Sequence, residues 1–269
     1  MLFRSHPGTG RRLGYDGVEL RAVSGSLDLL SHPEFTAKQV GKTRAVFKDH
    51  GVEICCIDTS CVFHSPELSE RVEQVELALR HAELAAQLSA PLIRVFPDKI
   101  QTGSNREETR DYIADSLRRI AELLPEGVQV GLETHGDFAR SEAVAEIAAL
   151  VDHAKVKLIW DVANSLNAGD SIRHAARIVE PYLAHVHLRD ARPVAGSAHW
   201  LPVLAGRGSV SFAETLETID ALNYDGYVSF EWEKYWHLEI EEPDVALPDF
   251  INAIRKLQSD TTKRSGVGK

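Results

Sequence analysis

Short apolar runs recur along the chain, and between them apolar residues return every three or four positions. The runs predict strands at 15–21, 52–58, 91–97, 128–134, 157–161, 184–188 and 227–232, because each is brief, aliphatic and bounded by glycine, proline or polar residues. Helical spacing predicts helices over 34–51, 66–88, 107–124, 141–153, 171–182, 211–223 and 248–258. Asn105 and Ser211 stand as N-caps before two of them, and Gly51 stops the first. Strict alternation implies parallel strands with helices outside, and this many units favours closure into a barrel over an open sheet. The expected fold is therefore α/β, a (β/α)8 TIM barrel whose missing eighth strand would be the first. Residues 1–13 carry Pro7, Gly8 and Gly10 without clear periodicity, so the first βα unit is expected to be truncated or irregular, with a stub of strand at Met1–Phe3. Residues 1–258 form one barrel domain in this reading, and the polar segment 259–269 is a flexible tail.

Composition narrows the class. A 43% hydrophobic content fills a sizeable core, while no apolar run reaches the ~18 residues of a membrane helix. The opening MLFRSHPGTGRR lacks the apolar segment of a secretory signal, and a cytoplasmic, soluble protein is expected. The net charge of −10 argues against general nucleic-acid binding. Cys55, Cys56 and Cys61 fall in one segment, with no matching cysteine pair elsewhere, and read as small core residues rather than a thiolate metal site.

The chemistry gathers at strand ends. GLETHGDF places Glu133 after a strand, LIWDVAN places Asp161, AHVHLRD places His187 and YVSFEWEK places Glu231, with intervals of 28, 26 and 44 residues. Each interval holds a helix and a loop, so a closed barrel brings all four to one end. Burying such groups without partners costs several kcal/mol, and one divalent cation offsets it. Carboxylates with a single histidine suit Mn²⁺ first, with Mg²⁺, Co²⁺ or Zn²⁺ also accepted.

Further candidates are substrate-binding residues, each with a plainer alternative. Arg94 interrupts an apolar strand and either offsets the carboxylate cluster or binds a substrate oxygen or phosphate, or else simply pairs with a core carboxylate such as Glu19. His185 shares a strand face with His187 and is either a residue that supports the ligands from behind or contacts substrate, or a satisfied core histidine. His135 is a pocket residue or a solvated loop histidine, and Lys234 either meets an anionic substrate group at the barrel mouth or is an exposed loop lysine. Arg189, Asp190 and Arg192 orient substrate or form loop ion pairs. AGRGSVSF reads as a glycine-rich anion loop or simply as the start of a helix. Trp200, Trp232, Tyr235 and Trp236 supply an apolar wall or plain packing.

Taken together, LGYDGVELR, RVFPDK, GLETHGDF, LIWDVANS, HVHLRDA, AGRGSVSF and GYVSFEWEKYWHLEIEEPDVALP resemble the xylose isomerase-like TIM barrels, the sugar phosphate isomerases/epimerases, over about Leu13 to Leu257. The resemblance implies one divalent ion held by Glu133, Asp161, His187 and Glu231. It further implies that Glu133 and Glu231 transfer protons on opposite faces of a sugar, sugar phosphate or polyol ketone through an enediolate. Two departures stand out: the short opening, and Asn164 where relatives often carry a histidine that contacts substrate or metal. Asn164 still hydrogen-bonds a hydroxyl but cannot act as an acid or base. The alternatives are a dehydratase of a keto-inositol-like substrate and a non-catalytic barrel scaffold. Endonuclease IV belongs to the same superfamily, but its multi-zinc cluster needs more histidines than this chain assembles. An incomplete barrel leaves sheet edges exposed, so a homo-oligomer is expected.

Overall fold

Seven strands form one parallel sheet: β1 (Gly17–Leu20), β2 (Glu53–Val62), β3 (Leu92–Phe96), β4 (Gln129–Glu133), β5 (Val156–Asp161), β6 (Leu183–Leu188) and β7 (Val228–Phe230). Each pairs with its sequence neighbour, from β1 through to β7. The computed structural model describes residues 2–3, 7–197 and 200–266. All seven strand positions expected from the hydrophobic pattern are present, in a nearly closed sheet that is the greater part of a TIM barrel.

Helices α1 (Pro7–Leu13), α2 (Val40–Asp49), α3 (Leu68–Leu88), α4 (Arg106–Leu123), α5 (Ser141–Val151), α6 (Val162–Asn167), α7 (Ile172–Val179), α8 (Phe212–Ala221) and α9 (Pro243–Gly266) connect and follow the strands. Asn105 caps α4 through its side chain, which accepts from Glu108 N at 3.0 Å while Glu108 reaches back to Asn105 N. Ser211 caps α8 through its hydroxyl, which accepts from Glu214 N.

The periodicity of each strand divides the core in two. Residues such as Val95, Leu132, Trp160 and Leu188 face outward into the layer shared with the helices. Inside, Cys56, Leu92 and Ile159 pack with Ala184 as a separate apolar plug. Two residues further along these strands the inner face turns polar, at Asp58, Arg94, Asp161 and the neighbouring Glu19, Glu133 and His187, all buried. The plug closes one end of the cylinder and leaves the charged tier at the C-terminal end.

Several elements differ from the sequence reading. The helix expected over 34–51 begins only at Val40, because Pro33 favours single 3-10 turns at Leu29–Ser31 and Pro33–Phe35 first. A helix forms at Pro7–Leu13, where none was expected; Pro7 sits in its first turn, where a missing N–H is harmless. The final helix continues beyond 258 to Gly266, through the segment expected as a tail. Leu2–Phe3 is a two-residue strand that pairs with Ala22–Val23 just after β1, and no ladder joins β7 to β1 among the described residues. Side chains bridge that gap instead. Tyr227 donates to Glu53 at 2.6 Å and lies against Gly17, where any side chain would collide with its ring. Among the described residues, no helix is long and apolar enough to cross a membrane.

Candidate active site

The charged tier opens into a cavity of about 470 Å³, lined by Arg21, Arg94, Glu133, His135, Asn164, Arg189 and Glu231, with Trp200 and Trp236 on its wall. Glu133 ends β4, Asp161 ends β5, and Glu231 follows β7 directly. His187 lies inside β6, one residue before its end.

His187 and Glu133 meet beneath the cavity. His187 Nε2 is 3.0 Å from Glu19 Oε2, and because a carboxylate only accepts, Nε2 carries the hydrogen and donates. Glu19 Oε1 lies 3.1 Å from Nε2 of His185, which also contacts Ser229 Oγ at 2.9 Å. The opposite ring nitrogen, His187 Nδ1, is buried with no hydrogen-bond partner and stands 3.5 Å from Glu133 Oε2.

Arg94 and Arg189 hold the carboxylates in place. Arg94 Nη1 donates to Glu133 Oε2 at 3.0 Å, lies 3.6 Å from Glu231 Oε1, and its Nε faces Asp58 at 3.9 Å. Arg189 Nη1 bridges Asp161 Oδ2 and Glu231 Oε2, while its other nitrogens reach Asn164 Oδ1 at 3.1 Å and Glu233 at 3.5 Å. Asp161 also caps α6, accepting from Asn164 N at 2.7 Å.

The surroundings drive these groups apart in proton affinity. Burial pushes Glu133 up to about 8 against the pull of Arg94 and His187. Burial likewise lifts Asp161 to about 6, with Arg189 opposing. It acts on Glu231 too, but Arg189, His187 and Arg94 outweigh it and hold that carboxyl at about 2. Burial disfavours a charged His187, yet the Glu19 carboxylate raises it to about 10.

A divalent cation fits this arrangement at His187. Its unpartnered Nδ1 faces carboxylates, and Glu133, His187 and Glu231 each offer one atom within 4.8 Å of the others. A carboxylate behind the imidazole is the usual support for a metal-bound histidine. Asp161, the fourth residue expected at the cation, is separated from Glu231 by the Arg189 guanidinium.

The expected substrate residues divide. Arg94, His135 and Asn164 line the cavity. His135 Nδ1 lies 3.7 Å from Asp98, and burial holds the ring below its ordinary pKa. Asn164 donates to Thr134 O while its Oδ1 accepts from Arg189. His185 lies apart, buried below the cavity between Glu19 and Ser229. Arg192 is exposed on a short antiparallel hairpin, Asp190–Arg192 with Leu201–Val203, and does not line the cavity. Lys234 closes its own loop instead, with Nζ at 2.7 Å from the carbonyls of Leu238 and Ile240 and at 3.0 Å from Glu242.

The AGRGS loop offers no free amides to an anion through Gly208 and Val210, because both donate to the Asp190 carboxylate at 2.8 and 3.1 Å. Trp200 and Trp236 do form part of the wall, whereas Trp232 is buried with its indole on Glu241 O. The residues that sequence reasoning missed are Arg21, Asp58 and Glu233, together with Glu19 in its role on two histidines. Their signal was alternation: Glu19 and Arg21, Cys56 and Asp58, and Glu231 and Glu233 are spaced two apart on the faces that carry the site.

Over 193 residues the chain is 25% identical to an uncharacterized protein of Methanocaldococcus jannaschii, covering 65% of this chain and 64% of that one. Over 158 residues it is 25% identical to an inosose dehydratase of Geobacillus thermodenitrificans, covering 53% and 51%. The chain thus spans between half and two thirds of the length of these curated relatives. Among solved structures, D-psicose 3-epimerase with D-tagatose from Clostridium cellulolyticum superposes with a TM-score of 0.75 at 18% identity, over 94% of this chain and 91% of that one. The IOLI protein with a bound zinc atom superposes with a TM-score of 0.74 at 19% identity, over 97% and 94%. The family model described as xylose isomerase-like TIM barrel matches residues 10–257, and the chain belongs to that family.

Proposed function

We propose that the chain is a divalent-metal-dependent isomerase or epimerase of a sugar, sugar phosphate or polyol ketone. The observation that carries this reading is the buried His187 Nδ1, unpartnered, facing Glu133 and Glu231 while Nε2 is held by Glu19. Glu133, His187 and Glu231 would hold the cation, with Asp161 joining them if Arg189 moves aside. Bound there, a divalent ion stabilises negative charge developing on substrate oxygens. Mn²⁺ is the proposed ion, and the zinc bound by a protein of the same fold supports a divalent metal in general.

The chain's own residues supply the proton transfers. One glutamate of the Glu133–Glu231 pair takes the proton from the carbon beside the carbonyl, and the other returns a proton to the substrate. Arg94 lies within reach of both carboxylates and fixes their positions as the proton moves. His135 and Asn164 face the same cavity and offer polar contacts to hydroxyl groups.

Glu231→Gln is expected to abolish turnover of ketose substrates while leaving the fold intact. Full activity in that variant would overturn the mechanism. A second reading is loss of water from a keto-inositol-like substrate, favoured by the inosose dehydratase relative. Mass spectrometry of the product separates the two, since isomerisation conserves mass and dehydration does not.

A further inference from the structure

Three arginines reach the cavity, and two are committed to carboxylates. Arg94 is paired with Glu133, Glu231 and Asp58, and Arg189 with Asp161, Glu231 and Glu233. Arg21 differs. It follows β1 directly, lines the cavity and is only 8% exposed. Among the described residues no carboxylate comes within ion-pair distance of it. Its Nε and Nη1 are enclosed without a hydrogen-bond partner, and its guanidinium carbon lies 5.6 Å from the centroid of the Trp236 ring.

A buried guanidinium that bonds to nothing is costly, and the cost is recovered only when a partner completes it. Asp58 Oδ1 is also buried without a hydrogen-bond partner, but it faces Arg94 at 3.9 Å and, among the described residues, is not paired with Arg21. The planar fork of a guanidinium matches two oxygens of a carboxylate or phosphate, and an aromatic face beside it fixes its plane. A neutral hydroxyl would satisfy one donor and leave the charge unmatched. The glycine-rich loop is no competing anion site, because Asp190 already accepts from its Gly208 and Val210 amides.

We infer that Arg21, backed by Trp236, is a subsite for an anionic group of the substrate, so that the compound taken is a ketose phosphate or a keto acid rather than a neutral sugar. The inference rests on the proposed function only for the location of the reacting site; the anion subsite itself is a binding property of Arg21.

Equilibrium binding tests it in the full chain, both with Mn²⁺ and after its removal. Heat and tryptophan fluorescence are followed on addition of D-ribulose, D-ribulose 5-phosphate or 5-keto-D-gluconate at constant ionic strength. At least one anionic probe is expected to bind roughly tenfold or more tightly than D-ribulose, and Arg21→Gln to erase that preference. Which anion prevails distinguishes phosphate from carboxylate. Equal binding of all three probes, no binding of either anion, or a preference undiminished in Arg21→Gln overturns the inference. A loss of stability in that variant with the preference unchanged assigns Arg21 to Asp58 instead. Should Arg21→Gln fail to fold, Arg21→Lys keeps the charge without the fork. A clearly reduced preference is expected there, and an unchanged one counts against the subsite. The Mn²⁺-free arm reads the preference even if the chain proves to turn over no ketose.

Discussion

Glu19 on β1 and His187 on β6 are joined by a 3.0 Å hydrogen bond through the interior of the barrel. The bond fixes which imidazole nitrogen carries the hydrogen and leaves Nδ1 as the one that faces Glu133. Glu19→Ala is therefore expected to weaken divalent-cation binding by roughly 10- to 100-fold, measured by competition with a metal-indicator dye. Glu19→Gln should fall between, since an amide oxygen accepts but carries no charge. Unchanged affinity in Glu19→Ala would show that His187 needs no such support.

Arg94 faces three carboxylates from a fully buried position. Removing one partner of a buried charge pair costs about 3–5 kcal/mol, so Arg94→Met should be strongly destabilised in urea unfolding. The cost has a direction in pH. Glu133 is already raised to about 8 by burial against the pull of Arg94 and His187, and losing Arg94 raises it further. The folded variant then binds a proton more tightly than the unfolded chain does, and stability falls as pH rises toward that value. The variant should be closest to wild type near pH 6 and furthest from it near pH 9. A destabilisation that does not vary with pH would show that Glu133 is not the group left unpaired.

Cation uptake should release protons. Burial raises Glu133 to about 8, and His187, where the Glu19 carboxylate overcomes burial, reaches about 10. Both groups hold protons at neutral pH and must give them up to coordinate a metal. Affinity for Mn²⁺ is thus expected to rise from pH 6 to pH 8. Calorimetry in two buffers of different ionisation heat should count between one and two protons released near pH 7. No buffer dependence would count against these residues as the ligands.

Gly136 follows His135 with a φ of +59°, and a β-carbon there would overlap the carbonyl oxygen of Asp98. That carbonyl also accepts from Asp137 N at 2.8 Å, so the two loops are locked together at the cavity rim. Gly136→Ala should cost roughly 1–3 kcal/mol in thermal or urea unfolding, from the left-handed backbone and the clash together. A neutral substitution would mean that the loops part easily.

Cys55, Cys56 and Cys61 are all buried free thiols, and burial pushes Cys61 up to about 11 and the other two well above their ordinary value. The native chain is expected to resist iodoacetamide at pH 8 and to take up three equivalents once unfolded in urea. Rapid labelling of the native protein would contradict the burial of β2.

The strands are legible in the sequence because the apolar runs are clean, and the positions of Glu133, Asp161, His187 and Glu231 at or near strand ends follow from the same runs. Glu19, Arg21 and Asp58 are not. A strand whose charged residues alternate with Val18 and Leu20 looks the same whether its polar face meets water or the inside of a closed sheet. Only closure decides, and closure is a property of all seven strands together. Arg192 and Lys234 mislead for a different reason. Their distance in sequence from His187 and Glu231 is short, but the chain turns into a hairpin after Leu188 and into a loop after Trp232, and both side chains leave the cavity. Helix α6 is hidden because its first residue follows Asp161 without a loop, so that one aspartate ends a strand and caps a helix.

Among the described residues, no backbone pairing covers the seam between β7 and β1, and side chains span it. His187 stands on one side of it and Glu19 on the other, with Tyr227 and Glu53 spanning the rim. A cation seated on His187 would therefore act as a clasp. It would pull taut a closure that, among the described residues, rests on side chains, and hydrogen exchange along β1 should slow when it binds.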